Sequence, residues 1–226
     1  MPLRILLIAA TQAEADALKS IQGIKEIPEG FSFGTSEFNL LVTGVGLVAT
    51  AWAMTKWIAS GSKPDLALNV GIAGSYSDEI VPGDVVLPVS DCFADAGVDT
   101  GRGFVTLAEA GLEDPDRFPF RGGRIIAENV FVKKASELLR TVNAVTVNTS
   151  TGRLDSIKMI SEKYHPDIET MEGAAFFYVC SKENIPFLAI RSVSNRVGLR
   201  DREKWNIRLA LDNLSGKLKE VLLLFQ

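Results

Sequence analysis

Histidine is almost missing from this chain, with His165 the sole example in 226 residues. Cysteine is nearly as scarce, and Cys92 and Cys180 lie far apart. One histidine and two scattered cysteines argue against a His/Cys metal site and against a disulfide framework, so no metal is expected. Cys180 falls in an apolar helical pattern and reads as a buried thiol. His165 stands beside Pro166 with no neighbour to tune it and reads as a surface residue rather than a base. No run is long enough to span a membrane. The short apolar run at residues 5–10 lacks a cleavage pattern, so no signal peptide is read and a cytoplasmic protein is expected. Basic charge is not in excess: the net charge is −4 and no dense basic cluster occurs, which argues against a nucleic-acid surface.

What is present is an ordinary globular composition. At 46% hydrophobic and 23% charged, the chain can bury a real core. Its length suits one α/β domain over residues 1–226, with strands and helices alternating around a central sheet. Residues 3–10 read as a buried strand. Thr11 and Glu14 follow with T-x-x-E spacing, a capping box at the start of a helix over 12–21. Residues 31–33 and 38–43 read as a hairpin, 47–59 as an apolar helix, and 66–70 as a strand. A further strand is predicted over 85–89. Residues 91–124 are rich in Gly and Pro and weakly patterned; they either cover a substrate or form a plain surface loop. Helices are expected over 128–139, 155–163 and 172–183, and strands over 144–149 and 168–171. Residues 201–225 close the chain as a long helix, with Leu211, Leu214, Leu218, Val221, Leu222 and Phe225 on one face. There is no internal repeat and no low-complexity linker.

Two glycine clusters follow predicted strands. Residues 44–49 fit G-x-G-x-x-A before a helix, as a dinucleotide fingerprint does. The matching acid, Asp65, sits at the amino end of its strand, where it points away from a cofactor. A tight strand-to-helix turn is the preferred reading, and no cofactor is expected. Gly71-Ile72-Ala73-Gly74 is a better ligand cradle, because small residues at the carboxyl edge of a sheet let backbone groups approach a flat ligand.

Residues 186–198, PFLAIRSVSNRVG, open as a buried strand and end in polar residues. Ligands of open α/β sheets sit outside the carboxyl ends of such strands, which is where Arg191, Ser194 and Asn195 are expected. Glu14 and Glu172 stand at two further strand-to-helix junctions. Each has a structural explanation, Glu14 in its capping box and Glu172 in a first helical turn. Together with Asn195 they supply what an acid–base carboxylate, a sugar-gripping carboxylate and a base-recognising amide would need.

These residues carry a resemblance. The segments 5–18, 43–49, 69–74, 82–86, 170–174 and 185–197 resemble, in order, the purine nucleoside phosphorylase/nucleosidase family. The likeness leans to the nucleosidases, and within them to a branch that releases hypoxanthine in a menaquinone route. It implies an α/β fold of three layers in a single domain, with a central mixed sheet flanked by helices. It implies that Glu14 activates an attacking water with Arg191 nearby, that Glu172 holds ribose hydroxyls with Met171 against the sugar, and that Ala73 and Gly74 back the purine. Ile72 and Ser194 are counted with the substrate-binding set. It also implies a homodimer or larger homo-oligomer, with a nucleoside as the small-molecule substrate.

Adenine-specific nucleosidases of this family carry Asp where this chain has Asn195. An amide donates from its nitrogen and accepts only at its oxygen, so it suits a 6-oxopurine. The stretch after the first strand, residues 9–14, has no arginine and contains an acid, which would repel phosphate and favours hydrolysis over phosphorolysis. A methylthioadenosine/S-adenosylhomocysteine nucleosidase, a phosphorylase and a non-enzymic nucleoside-binding module remain as alternatives. Arg102, Arg121 and Arg153 are candidates for the 5′ pocket. Phe93 and Phe104 are candidates for stacking on the purine.

Overall fold

The computed structural model describes residues 2–28, 30–61, 63–199 and 205–226. The chain begins β1 (Leu3–Ala9), α1 (Gln12–Lys19), β2 (Lys25–Ile27), β3 (Gly30–Phe33), β4 (Ser36–Val42), α2 (Leu47–Ala59) and β5 (Leu66–Ser75). It continues β6 (Val85–Asp91), β7 (Gly97–Asp99), β8 (Phe104–Thr106), β9 (Phe120–Arg121), β10 (Arg124–Ile126), α3 (Val130–Ala135) and β11 (Arg140–Thr146). It ends α4 (Leu154–Tyr164), β12 (Ile168–Thr170), α5 (Gly173–Lys182), β13 (Phe187–Arg196) and α6 (Ile207–Leu223).

The apolar run of β1 is buried on both faces and lies between β4 and β5, parallel to each. β2, β3 and β4 form an antiparallel edge. On the other side of β5 the sheet closes on itself. β5 pairs with β13 in parallel, β13 with β6 antiparallel, β6 with β11 in parallel, β11 with β12 in parallel, and β12 returns antiparallel to the end of β5. The sheet is therefore mixed, and helices flank it: α1 packs with α6, and α2 with α5. Leu6, Leu68, Phe176, Leu188, Leu214 and Leu218 belong to one continuous core. No helix of the described residues is long and apolar enough to cross a membrane.

Closure lengthens two strands beyond the sequence prediction. β5 continues through Gly71–Ser75 and β13 through Arg191–Arg196, where strand ends were expected. Gly74 and Ser75 find ladder partners on β12, and Arg191 and Ser192 find them on β6, so these backbone groups stay paired inside a strand. The polar residues of 191–195 are consequently buried rather than on a loop. The strands β2, β7, β8, β9 and β10 are too short for a periodic signal and were not predicted. Helix α3 is half its predicted length, its start fixed by the Asn129 side chain accepting from the N–H groups of Phe131 and Val132. In the closing helix, Leu214, Leu218, Val221 and Leu222 are buried as the pattern predicts; the part predicted over 201–204 lies outside the described residues.

Candidate active site

Glu14 is buried at the first turn of α1 and divides its two oxygens between two tasks. Oε2 accepts from the N–H and hydroxyl of Thr11, at 2.9 and 2.8 Å, completing the capping box. The Thr11 hydroxyl oxygen in turn accepts from the Glu14 N–H at 3.3 Å. Oε1 accepts from the Ile72 N–H of β5 at 3.1 Å. The structural and chemical readings of Glu14 are compatible, because the cap holds one oxygen and leaves the other beside β5.

Glu172 caps the start of α5 and reaches across to the turn before α2, where its Oε1 accepts from the Gly46 N–H at 2.9 Å. Gly46 has φ 98°, which a side chain tolerates poorly, so this glycine serves the turn that aims its N–H at Glu172. The G-x-G-x-x-A segment is thus a strand-to-helix turn, the reading preferred from the sequence. Its would-be acid, Asp65, pairs with Arg4 at 3.2 Å on the surface. Burial pushes the Glu172 carboxyl above the usual carboxylate range. The Gly46 N–H and the charge of Arg191 pull it down, while Glu14 pushes it up.

Arg191 is the largest fully buried side chain among the described residues. Its hydrogen bonds go to neutral oxygens: Nη1 donates to the carbonyls of Asn69 and Ile190 at 3.0 and 3.1 Å, and Nη2 donates to Asn69 Oδ1. Asn69 is itself tied to β1 through Nδ2 and the Ile8 carbonyl at 3.0 Å. Burial lowers the guanidinium pKa, and the charges of Glu172, Glu14 and Asp91 raise it in return. The arginine is therefore a fixed positive charge beneath the two carboxylates.

Asn195 lies on β13 opposite Gly74. Its Oδ1 accepts from the Ser194 hydroxyl at 2.8 Å and its Nδ2 donates to the Arg196 carbonyl at 2.9 Å. One N–H and one lone pair of the amide remain for a ligand. A β-carbon at Gly74 would stand 2.9 Å from Val197 Cγ2 and 3.4 Å from Asn195 Nδ2, so the glycine gives room to Val197 beside this amide.

Glu14, Ile72, Ala73, Gly74, Met171, Glu172, Ser194 and Asn195 all line one cavity of about 280 Å³. Of the catalytic and substrate-binding set expected from the resemblance, Arg191 alone is not on its surface. That volume is at the lower end of small-molecule sites.

The sequence matches the Phosphorylase superfamily over residues 4–223. The chain belongs to this family. It is 30% identical over 210 residues to a futalosine hydrolase of Streptomyces coelicolor, an alignment covering 88% of this chain and 83% of that one. It is 31% identical over 208 residues to a 5′-methylthioadenosine/S-adenosylhomocysteine nucleosidase of Listeria monocytogenes, covering 84% of each. Among solved structures, the native futalosine hydrolase of Helicobacter pylori superposes with a TM-score of 0.78 at 17% identity, over 97% of both chains. At that identity the likeness is one of fold.

Sequence reasoning missed several residues that this superfamily member places on the cavity wall. They include Val45, Thr151, Glu169, Val197 and Trp205. Among the described residues Trp205 is the aromatic side chain on this wall, and Phe93 and Phe104 are not on it. Phe93 instead packs against Phe120 and Tyr178, with ring centroids 6.3 Å apart in each case, and lines a separate cavity. Phe104 lies on β8 of a separate two-stranded ribbon. Of the three arginines considered for the 5′ pocket, Arg121 pairs with Glu128 on the surface. Arg153 follows Gly152, which does line the cavity, and Arg102 is exposed in the turn between β7 and β8. His165 ends α4 in the left-handed conformation and is exposed, and both cysteines are buried and unpaired.

Proposed function

We propose that this chain hydrolyses the N-glycosidic bond of futalosine, releasing hypoxanthine and dehypoxanthinyl futalosine in a route to menaquinone. The observation that carries the reading is Asn195, an amide with a free donor and acceptor, on the same cavity as Glu14 and Glu172. Relatives that bear the name futalosine hydrolase support it.

In this reading water is the nucleophile. Glu14 Oε1, oriented by Ile72, takes the water proton as oxygen attacks C1′. Positive charge grows on the ribosyl ring as the C1′–N9 bond lengthens. Glu172 holds the sugar hydroxyls and stabilises that charge, with Met171 against the ring. Arg191 steadies both carboxylates from below. The electron pair of the broken bond leaves with the purine. Asn195 donates to O6 and accepts from the N7–H that forms on the departing base, with Ser194 fixing the amide and Ile72, Ala73 and Gly74 backing the ring. No cofactor or metal is required.

Hydrolysis rather than phosphorolysis is supported by residues 9–14, which offer a carboxylate and no arginine where a phosphate dianion would have to stand. A second reading, a methylthioadenosine/S-adenosylhomocysteine nucleosidase, draws support from the Listeria relatives. One experiment separates all of these. Futalosine, inosine and methylthioadenosine are offered with and without phosphate, and the released base is identified. Phosphate-independent hypoxanthine release supports the proposal. Adenine release favours the second reading, and an absolute need for phosphate means a phosphorylase.

We further propose that the chain works as a homodimer or larger homo-oligomer. Val48 and Trp52 of α2 are 80% and 63% exposed, and the adjacent Val45 is exposed while lining the cavity. A second copy over this face would bury them and narrow the cavity mouth. Two buried, unpaired cysteines suit the reducing cytoplasm.

A further inference from the structure

Glu172 stands at the N-cap of α5, yet its side chain makes no capping bond. An N-cap side chain ordinarily accepts from the second or third backbone N–H of its own helix. The Glu172 carboxylate reaches Gly46 instead, so the first amides of α5 need other acceptors. Two threonines supply them. The Ala174 N–H donates to the Thr146 hydroxyl at 2.8 Å, and the Gly173 N–H donates to the Thr170 hydroxyl at 3.2 Å.

Thr146 and Thr170 are register partners at the ends of β11 and β12, and their hydroxyl oxygens lie 3.0 Å apart. Asp91, at the end of β6, stands behind Thr146. The Thr146 hydroxyl donates to its two oxygens at 2.9 and 3.0 Å, and the Cys92 N–H donates to Oδ1 at 2.8 Å. With its hydrogen spent on Asp91, the Thr146 oxygen turns a lone pair to Ala174. Gly173 permits the close fit: a β-carbon there would stand 2.1 Å from Asp91 Oδ2 and 2.9 Å from Thr170 Oγ1. Asp91, Thr146 and Thr170 are all buried. Three buried polar residues from three strands thus serve a helix end that a single serine or aspartate at the N-cap could serve. What this arrangement gains is a free carboxylate at position 172.

We propose that Thr146, held by Asp91 and joined to Thr170, is a positioning residue for Glu172: it takes over the capping of α5 and leaves the Glu172 carboxylate to the cavity. The proposal rests on the nucleosidase reading for what Glu172 then holds, the sugar. Without the Thr146 hydroxyl, the open Ala174 N–H offers Glu172 a partner in its own helix, and the carboxylate turns back from Gly46.

The test compares the full-length parent with Thr146→Val, which keeps the shape and removes the hydroxyl, and with Thr146→Ser, which keeps the hydroxyl. Two readouts are taken: exchange of the Gly46 amide hydrogen, and kinetics on futalosine beside the affinity for free hypoxanthine. In Thr146→Val the Gly46 hydrogen should exchange about 10-fold faster or more, since its acceptor has left. The kcat/KM for futalosine should fall by about 100-fold, the cost of a misplaced group at a reacting centre. Affinity for hypoxanthine, which has no sugar for Glu172 to hold, should stay that of the parent. Thr146→Ser should restore both readouts. Parent-like Gly46 exchange or an undiminished kcat/KM in Thr146→Val overturns the proposal. So does an equal loss of futalosine turnover and hypoxanthine affinity, which a merely structural threonine would give. Should Thr146→Val fail to fold, Thr170→Val opens the Gly173 N–H instead and is read by the same outcomes. A parent that releases no purine removes the nucleosidase reading. Faster Gly46 exchange in the variant would then still support the placement of Glu172, and parent-like exchange would overturn it.

Discussion

Gly71 and Glu14 are fitted to each other: a β-carbon at position 71 would stand 2.7 Å from Glu14 Oε1 and 3.9 Å from Arg191 Nε. The absent side chain lets the carboxylate of α1 reach the Ile72 N–H. A Gly71→Ala substitution should push Glu14 off that N–H. Turnover is expected to fall about 100-fold or more, with a loss of stability of about 1–3 kcal/mol from overpacking. Steady-state kinetics beside a denaturant titration would show it; wild-type turnover in the folded variant would mean that the Ile72 contact is not needed.

Glu14→Gln keeps the shape and the helix cap, since Gln also completes a capping box. The amide has no proton-accepting carboxylate. Turnover should drop by about 10²–10⁴ while affinity for hypoxanthine stays near that of the parent; the NH₂ left facing the Ile72 N–H should cost about 1–3 kcal/mol of stability. Hydrolysis at an undiminished rate would remove Glu14 from the base role.

Arg191 lowers the pKa of Glu172 by its charge, and burial raises it. Replacing the arginine by glutamine keeps a donor for Asn69 and removes the charge. Glu172 then titrates at higher pH. If Glu172 must be ionised to hold the sugar, the acid limb of the kcat/KM profile should move to higher pH. The profile of the Arg191→Gln variant between pH 4 and 9 is the measurement; a limb that does not move separates the two residues.

Asp91 is buried beside Thr146, whose hydroxyl lies 2.9 and 3.0 Å from its two oxygens, and burial pushes its carboxyl up to about 7. An unfolded aspartate titrates near 4, so between these values the folded state binds more proton. Stability should therefore fall as pH rises from about 4 to 7, and level off above. Each pH unit separating the two pKa values is worth about 1.4 kcal/mol. The Asp91→Asn variant should lose that dependence. Urea melts at pH 5 and pH 8 for both proteins test the sign.

Asn195→Asp offers a group that, when protonated, donates to N7 while accepting from a 6-amino group. Adenine nucleosides should gain and hypoxanthine nucleosides lose, with the kcat/KM ratio moving by about 100-fold. Competition between inosine and methylthioadenosine measures it directly. No movement in the ratio would place base selection elsewhere on the wall.

The site was partly legible because three of its polar groups sit where short-range rules apply. Glu14 is marked by the T-x-x-E box, Glu172 by a strand-to-helix junction, and Asn195 by a polar end to an apolar run. Glu169 carried no mark: in a three-residue strand, alternation cannot distinguish a wall residue from a surface one. Trp205 follows no motif and reaches the cavity only through tertiary structure. The core strands β1, β5 and β13 were visible as apolar runs. The sequence pattern stops β5 at Val70 and β13 at Ile190, because the partners that keep Gly71–Ser75 and Arg191–Arg196 in a sheet, β12 and β6, are distant in sequence.

The doubly paired β13 has one more consequence. Flanked by β5 along its whole length and by β6 in its middle, it should be among the last segments to exchange its amide hydrogens, opening only with the whole molecule. The strand that carries Arg191 and Asn195 is thus among those least free to adjust. In the proposed reading, recognition of the base is then preorganised at folding, and a wrong purine meets a wall that costs much to move.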